Sequence, residues 1–169
     1  MKPTPEIREC LTRFSITRQI ADDPNKLDMI ARILKPVHFA AGEDIIRKGE
    51  SGSEAFLLVE GTVEIIDFTM EQEPYIKAVL EDSFAILFGE LGLIGSDVRT
   101  ATVRARTACV CWMLGREDFL QLGAEHPQLG WLVLLEIANL LSERLKRTNQ
   151  DVLQLFEALV MEVEGEGGG

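Results

Sequence analysis

The chain has 169 residues, which is enough for one domain with a sizeable hydrophobic core. Its 28 acidic residues outnumber the 17 basic ones and give a net charge of −11. This balance argues against a DNA-binding surface within the chain and against attraction to anionic lipid. No signal peptide or membrane-spanning stretch is predicted, so we expect a cytoplasmic protein with no membrane partner.

The first predicted segment, residues 1–35, is helical. Apolar residues recur there at helical spacing, and Asp22, Asp23 and Pro24 mark a break where another helix begins. From Pro36 onward the chain changes to short apolar runs separated by glycines. The predicted strands are 37–40, 44–47, 55–60, 62–68, 75–80, 101–106 and 110–114. Many short strands joined by turns favour an antiparallel β-roll, a jelly-roll-like barrel.

Within the β-roll, the segment 88–105 (FGELGLIGSDVRTATVRA) holds the candidate binding residues. Three glycines let the backbone approach a ligand and present N–H groups to an anion: Gly89, Gly92 and Gly95. Glu90 can accept hydrogen bonds from a diol such as ribose. Arg99 offers a planar fork of donors to phosphate oxygens, and Thr100 adds a hydroxyl. Taken alone, the glycine-rich turn is equally typical of a plain surface loop.

In this order of residues the segment resembles the phosphate-binding cassette of cyclic-nucleotide-binding domains, the family of catabolite activator protein and the regulatory subunit of protein kinase A. The resemblance covers roughly residues 36 to 160. It implies that Glu90 holds the ribose 2′-hydroxyl and that Arg99 pairs with the cyclic phosphate. The other cassette residues that it implies for ligand binding, mainly through backbone N–H groups, are Gly89, Leu91, Gly92, Thr100 and Ala101. It also implies a non-enzymatic sensor, with cAMP or cGMP as ligand and neither a cofactor nor a metal.

The chain departs from the family pattern just before the cassette. Residues 80–90 read LEDSFAILFGE, which is slightly longer than the family's approach loop and lacks its glycine. Phe84, Ile86 and Leu87 are interpreted as extra core rather than as a lid or partner contact. The usual proline before the arginine is replaced by Val98, which we expect to loosen the loop without removing its chemistry.

Two helices follow the predicted strands, a short one from Arg116 to Leu122 and a long one from near Pro127 to about Val163. The long helix repeats its apolar positions every three and four residues: Leu134, Ala138, Leu141, Leu145, Thr148, Val152, Leu155 and Leu159. This seven-residue repeat is typical of a coiled-coil seam. We interpret the first half of the helix as docked on the roll and the second half as the contact of a homodimer. The alternative is a helix packed wholly on its own domain.

The predicted domain organisation follows from these elements. It comprises an N-terminal helical segment (1–35), the cyclic-nucleotide-binding β-roll with a short hinge helix (36–125), a long dimerisation and lid helix (126–163) and a flexible tail (164–169). The fold class is therefore α+β and mainly β. The family comparison implies that the ligand repositions the C-terminal helix and that a protein effector reads the change.

The sequence does not decide whether the expected ligand is cAMP or cGMP. The resemblance makes Thr148 and Asn149 candidates to contact the base, Asn149 from the opposite subunit, although a register-setting Thr and a solvated Asn explain them nearly as well. Threonine at position 100 goes with cGMP in the kinase branch of the family. Thr148 favours adenine in the activator branch, and we expect cAMP ahead of cGMP.

Three other functions are alternatives for this sequence. A barrel of the same family that no longer binds nucleotide would act as a dimerisation or interaction module; the altered approach loop favours it, and intact Glu90 and Arg99 oppose it. A cupin-like metal enzyme would need clustered ligands, and His38 and His126 are the only histidines. A DNA-binding regulator would need a further domain, since nothing after Val163 can form a helix-turn-helix.

Overall fold

The computed structural model describes residues 1–95 and 98–166, with side chains as far as Met161. Two four-stranded antiparallel sheets pack against each other and form an open β-roll, so the two sheets do not close into one barrel. Helices precede and follow the roll. The predicted fold class is confirmed in this form.

The elements are as follows. The α-helices are α1 (Pro5–Thr12), α2 (Pro24–Ile33), α3 (Glu90–Ile94), α4 (Arg116–Glu125) and α5 (Pro127–Glu166), and the two 3-10 helices cover Ser15–Ile20 and Asp82–Phe84. The strands are β1 (Leu34–Phe39), β2 (Asp44–Ile46), β3 (Glu54–Glu60), β4 (Thr62–Phe68), β5 (Pro74–Glu81), β6 (Leu87–Phe88), β7 (Thr102–Ala105) and β8 (Cys109–Gly115).

The sheets bring the middle of the chain together around the cassette. One sheet has the strand order β1-β8-β3-β6, and the other has the order β2-β7-β4-β5. Alternate residues of both sheets point inward and form a shared core: Ile46, Phe56, Leu58, Val63, Phe88, Val103, Ala105, Cys109 and Cys111. Phe56 stacks on Phe88 with ring centroids 5.4 Å apart. The cassette helix α3 begins two residues after Phe88 and is therefore anchored to this core.

A second core lies between the other face of the first sheet and the helices. It is formed chiefly by residues of α1, α2 and the first 3-10 helix, with the start of α5. Leu129, Val133 and Ile137 of α5 are buried in it. Gln19 Nε2 donates a 2.8 Å hydrogen bond to Oε1 of the buried Glu136. The first half of the long helix is docked as predicted, but it packs chiefly against the first 3-10 helix and α4 rather than directly on the strands of the roll.

The approach loop, residues 80–90, is only partly buried, so its interpretation as extra core is correct only in part. Leu87 is buried in β6, opposite Leu57 of β3, and Ile86 is half-buried. Phe84, however, is 70% exposed, so its assignment to the core was wrong. The 3-10 turn ends at Ala85 in the left-handed region (φ 47°), and this reversal directs the chain into β6 while Phe84 stays outside.

The long helix continues further than predicted. It ends at Glu166, so the first residues of the predicted tail belong to α5, and residues 167–169 lie outside the described part of the chain. Among the described helices, none combines the length and apolarity needed to cross a lipid bilayer.

Candidate functional site

Arg99 lies at the centre of the candidate site and is only 8% exposed. Its Nη1 donates to the backbone oxygens of Glu54 (2.8 Å) and Gly89 (3.2 Å), and its Nη2 donates to Glu54 Oε2 (2.9 Å). Burial lowers the pKa of the guanidinium from its usual value, and the nearby Glu54 carboxylate opposes this shift. The cation is therefore desolvated and held by one carboxylate.

Three glycines make room for this guanidinium. A Cβ atom at Gly92 would lie 2.5 Å from Arg99 Nη1, and one at Gly89 would lie 3.1 Å from the same atom. A Cβ at Gly52 would also collide with the guanidinium. Gly89 has φ 76°, in the left-handed region that favours glycine, and it forms the N-cap of α3. The close approach predicted for Gly89 and Gly92 is thus present, but the group that they approach in this structure is Arg99.

Glu90 opens α3 and is buried. Its Oε1 accepts a 2.5 Å hydrogen bond from Arg144 Nη1. Its Oε2 is also buried, and it has no hydrogen-bond partner among the described residues. A buried carboxylate oxygen without a donor is costly and calls for an explanation. This oxygen can accept a hydrogen bond from a hydroxyl group that enters the site.

Sequence reasoning missed both charged partners. Arg144 reaches the cassette from α5, where its Nη2 also donates to the Leu87 backbone oxygen (2.7 Å). One signal could have identified it: Val133, Ile137, Leu140 and Arg144 are four, three and four residues apart, so Arg144 continues the buried stripe. Glu54 gave no such signal, because it is one of several acidic residues in a strand-and-turn region.

A further arginine supports the cassette from outside. Arg116, the first residue of α4, donates from Nε to the Gly92 backbone oxygen (2.9 Å) and from Nη2 to the oxygens of Gly92 and Gly95, the latter at 3.1 Å. The last carbonyls of a helix lack partners within that helix. Arg116 satisfies them at the end of α3, and thereby links the cassette to the hinge region before α5.

A cavity of about 130 Å³ opens beside Arg99. Its lining combines apolar and polar residues and includes neither Glu90 nor a residue of α5: Ile46, Phe56, Gly52, Ser51, Glu50, Glu54, Arg99, Asp44, Ile45 and Arg47. Complete small-molecule sites usually measure about 300–1,000 Å³. The cavity can therefore enclose a phosphate and its immediate surroundings, but a larger ligand must extend beyond it.

The remaining predicted site residues do not line this cavity and are more accessible to solvent. Leu91 is 39% exposed, Thr100 is exposed, and Ala101 is half-buried. Thr148 and Asn149 are exposed on α5, one turn beyond Arg144. The cassette residues therefore gather around Arg99 and Glu90, whereas the two base-contact candidates stand apart on the helix. Ser96 and Asp97 of the cassette lie outside the described residues.

The predicted seam of α5 is largely exposed. Leu145 is 62% exposed, Val152 60%, Leu155 71% and Leu159 58%, whereas Leu141 is half-buried at the edge of the docked region. Trp131, 63% exposed, extends the same spacing by one step towards the N-terminus and was missed in the sequence. Such a row of large apolar side chains facing solvent is typical of interaction surfaces.

Comparisons with known proteins agree with this arrangement. Human cGMP-dependent protein kinase 2 is 32% identical over 145 residues, which cover 84% of this chain and only 18% of the kinase. The catabolite activator protein of Thermus thermophilus superposes with a TM-score of 0.73 at 25% identity, over 83% of this chain and 62% of that structure. A cyclic nucleotide-binding domain from Methylobacillus flagellatus superposes with a TM-score of 0.76 at 19% identity, over 86% and 83% of the two chains.

The family model described as the cyclic nucleotide-binding domain matches residues 36–126. This range contains every strand apart from the first two residues of β1, together with Arg99, Glu90 and the glycine cradle formed by Gly52, Gly89 and Gly92, and it ends where α5 begins. The match covers more than half of the chain. The chain therefore belongs to the cyclic nucleotide-binding domain family.

Proposed function

We propose that the chain is a non-enzymatic sensor that binds a 3′,5′-cyclic nucleotide between the β-roll and α5. One observation carries the proposal: the buried Arg99 guanidinium lies in a glycine cradle beside Glu90, whose Oε2 has no partner among the described residues. A cyclic phosphate supplies acceptors for the guanidinium, and a ribose hydroxyl supplies the donor that Oε2 lacks. Both groups occur in one small ligand at adjacent positions.

Binding requires one exchange within the site. Arg99 is already paired with Glu54, so the phosphate must compete with that carboxylate for Nη2. Glu54 is 37% exposed and can turn towards solvent, whereas the guanidinium is held by the Glu54 and Gly89 backbone oxygens. We infer that the phosphate replaces the Glu54 side chain on a guanidinium that stays in place. The backbone N–H groups at Leu91 and Thr100 are the proposed further donors to the phosphate, whereas the Gly92 N–H, which the family resemblance implies as a donor, already donates to the Gly89 backbone oxygen at 3.0 Å.

The first candidate ligand is cAMP. Thr148 lies one turn beyond Arg144 on α5, and side chains four residues apart are neighbours on a helix. A base that extends from the ribose held by Glu90 therefore points towards this turn, where a threonine hydroxyl can pair with adenine. The second candidate is cGMP, favoured by Thr100 in the cassette and by the similarity to a cGMP-dependent kinase.

Side-by-side calorimetric titration with cAMP and cGMP tests the proposal. We expect saturable binding of at least one nucleotide, with cAMP tighter, and its loss in Arg99→Leu. The matched control is Arg106→Leu, which removes an exposed arginine just beyond β7 and leaves the cavity intact. Absence of binding of either nucleotide at concentrations of about tens of micromolar would favour the second candidate function, an interaction module without a ligand.

We propose that the signal of ligand binding is transmitted through α5. Arg144 joins this helix to Glu90, so a change in the position of the Glu90 carboxylate alters a contact of the helix directly. A ligand shifts such an equilibrium only if it binds the two states with different affinities. Hydrogen exchange with and without nucleotide measures this: we expect changed protection around Leu140–Thr148, and unchanged protection there would contradict the proposed coupling.

We also propose a homodimer through the exposed seam of α5. Trp131 lies on this seam and is 63% exposed, whereas the only other tryptophan, Trp112, is buried. Dimerisation should therefore shift Trp131 fluorescence to shorter wavelength as the protein concentration rises. Leu145→Gln with Leu155→Gln should weaken the dimer about tenfold or more in sedimentation equilibrium. Leu120→Gln, at an exposed leucine of α4, is the control.

A further inference from the structure

The cassette helix α3 is too short to be stable by itself. It has five residues, Glu90–Ile94, and Gly92 stands in its middle. The Gly92 N–H donates to the Gly89 oxygen (3.0 Å), and the Gly95 N–H donates to the Leu91 oxygen (2.9 Å). Isolated helices of this length are unstable in water, and a glycine weakens them further. Contacts from other parts of the chain must therefore keep α3 in place.

Arg116 supplies such a contact at the end of α3 that lies opposite Glu90. Its Nε donates to the Gly92 oxygen (2.9 Å), and its Nη2 donates to the oxygens of Gly92 and Gly95, the latter at 3.1 Å. One guanidinium thus bridges two carbonyl groups three residues apart. Arg116 is half-buried, and its backbone N–H donates to the oxygen of Ser53, directly before β3 (3.1 Å). Arg116 therefore fastens the end of α3 to the β-roll.

The backbone at Gly92 lies between Arg116 and Arg99. The Gly92 oxygen accepts from Arg116, whereas a Cβ atom at Gly92 would lie 2.5 Å from Arg99 Nη1. A shift of the last turn of α3 would therefore change the space that the Arg99 guanidinium occupies. The two cations also repel each other: burial lowers the pKa of Arg99, and the positive charge of Arg116 adds to this shift. An anion bound at Arg99 relieves this repulsion.

We propose that Arg116 is a positioning residue of the phosphate end, which holds α3 in the form that seats the Arg99 guanidinium for a cyclic phosphate. The described lining of the cavity does not include Arg116, so its effect on the ligand passes through Gly92 and Arg99. Arg144 holds the opposite end of α3, at Glu90. This inference rests on the proposed function, because the ligand that it concerns is the cyclic nucleotide.

Amide hydrogen exchange, followed by NMR in the absence of nucleotide, tests the positioning directly. The amides of Gly92 and Gly95 donate within or next to α3, so their exchange reports whether the helix keeps its form. Arg116→Met should make them exchange about tenfold faster or more. The amides shared between β4 and β7 are the internal reference and should be unchanged. Arg106→Met, at an exposed arginine just beyond β7, is the matched control.

Calorimetric titration with two nucleotides locates the effect within the site. One is cAMP, and the other is 2′-deoxy-cAMP, which lacks the hydroxyl proposed to bind Glu90. Arg116→Met should weaken both by the same factor, about tenfold, whereas Arg144→Met should weaken cAMP more than 2′-deoxy-cAMP. Arg116→Lys keeps the positive charge but lacks the planar fork that spans two carbonyl groups. We therefore expect Arg116→Lys to recover only part of the lost affinity.

Three outcomes would overturn the inference. One is exchange of the α3 amides that is equally fast in the unmodified chain and in Arg116→Met. The second is full affinity in Arg116→Lys, which would reduce the role of Arg116 to its charge. The third is a smaller loss for 2′-deoxy-cAMP than for cAMP in Arg116→Met, which would place the effect at the ribose end.

Two further results are kept apart from these outcomes. If circular dichroism shows that Arg116→Met does not fold, the same measurements on Arg116→Lys decide, with faster exchange and weaker binding expected and unchanged values against the inference. If the unmodified chain binds neither nucleotide, the sensor proposal fails. The exchange measurement, which needs no ligand, then still decides whether Arg116 holds α3.

Discussion

The two ends of the candidate site are neutralised in different ways. At the proposed phosphate end, Arg99 pairs with Glu54, and both residues belong to the β-roll and its cassette. At the proposed ribose end, Glu90 pairs with Arg144, which belongs to α5. The first pair can open without moving any helix, whereas the second cannot change without affecting α5. In the proposed sensor, ligand selection and signal output therefore lie at opposite ends of one small site.

The largest expected effect comes from breaking the pair at the ribose end. Arg144→Met leaves the buried Glu90 carboxylate without its cation. We expect the free energy of unfolding to fall by roughly 1–2 kcal/mol, below the full cost of breaking a buried pair because Arg144 is 42% exposed. Nucleotide affinity should fall roughly tenfold, because Glu90 loses the group that orients it. Urea unfolding and calorimetric titration measure the two effects.

The control for this change lies on the same helix. Arg147→Met removes an equally charged, exposed residue less than one turn away and should leave both quantities nearly unchanged. A double-mutant cycle with Glu90→Gln isolates the interaction energy of the pair. A coupling energy near zero would show that the pair contributes nothing in solution, and the two ends of the site would then not differ as described.

A smaller effect of opposite sign is expected at the phosphate end. Glu54→Gln removes the anion that competes for Arg99 Nη2, so nucleotide affinity should rise about threefold to tenfold. Glu54 is 37% exposed, and the loss of its ion pair should cost under about 1 kcal/mol of stability. Calorimetric titration of the variant against the unmodified chain measures the gain.

Glu50→Gln is the matched control, because Glu50 lines the same cavity but pairs with Arg47 rather than Arg99. This control distinguishes the effect of removing any one negative charge from the effect of removing the carboxylate that competes with the phosphate for Arg99. An equal gain in nucleotide affinity in both variants would mean that only the overall electrostatic field of the chain had changed. A weaker affinity in Glu54→Gln would mean that Glu54 positions the guanidinium for the ligand.

Much of the fold could be predicted because its signals are local. Glycine-separated apolar runs gave the strands, and β4 was predicted with the bounds that the structure shows. The sequence missed β6 and α3, since a two-residue strand has no periodicity and a five-residue helix containing Gly92 has little intrinsic helix propensity. Phe84 was misassigned because alternation does not reveal the reversal of the chain at Ala85.

The site could be predicted only in part, because its ion pairs join residues that are far apart in the sequence. Arg99 and Glu90 stand in a recognisable order along one segment, so the sequence indicates their chemistry. Their partners, Glu54 and Arg144, are 45 and 54 residues away from them. Only the register of β3 beside the cassette and the rotation of α5 bring these partners into contact. The spacing along α5 places Arg144 on the buried stripe, but no spacing pattern identifies Glu90 as its partner or pairs Glu54 with Arg99.

The smallest expected effect concerns an ion pair that lines the cavity, and it tests how sharply the two ends of the site differ. Asp44 of β2 pairs with Arg104 of β7 at 2.7 Å, and this arginine, followed by Arg47, lowers the pKa of the carboxyl despite its partial burial. The pair contributes stability above the ordinary Asp value of about 3.9. This contribution is lost as the pH falls through the lower value of the folded state.

Asp44→Asn should therefore lower the stability at pH 7 by under about 1 kcal/mol and by less at about pH 3, because the contribution of the pair decreases as the pH falls below the ordinary Asp value. Urea unfolding at the two pH values measures this difference, with Asp22→Asn, at an exposed aspartate, as the control. Nucleotide affinity should change less than in Glu54→Gln, because Asp44 lines the cavity without contacting Arg99. An affinity change as large as that of Glu54→Gln would mean that ligand selection extends over the whole acidic side of the cavity, and the sharp division between the two ends of the site would have to be abandoned.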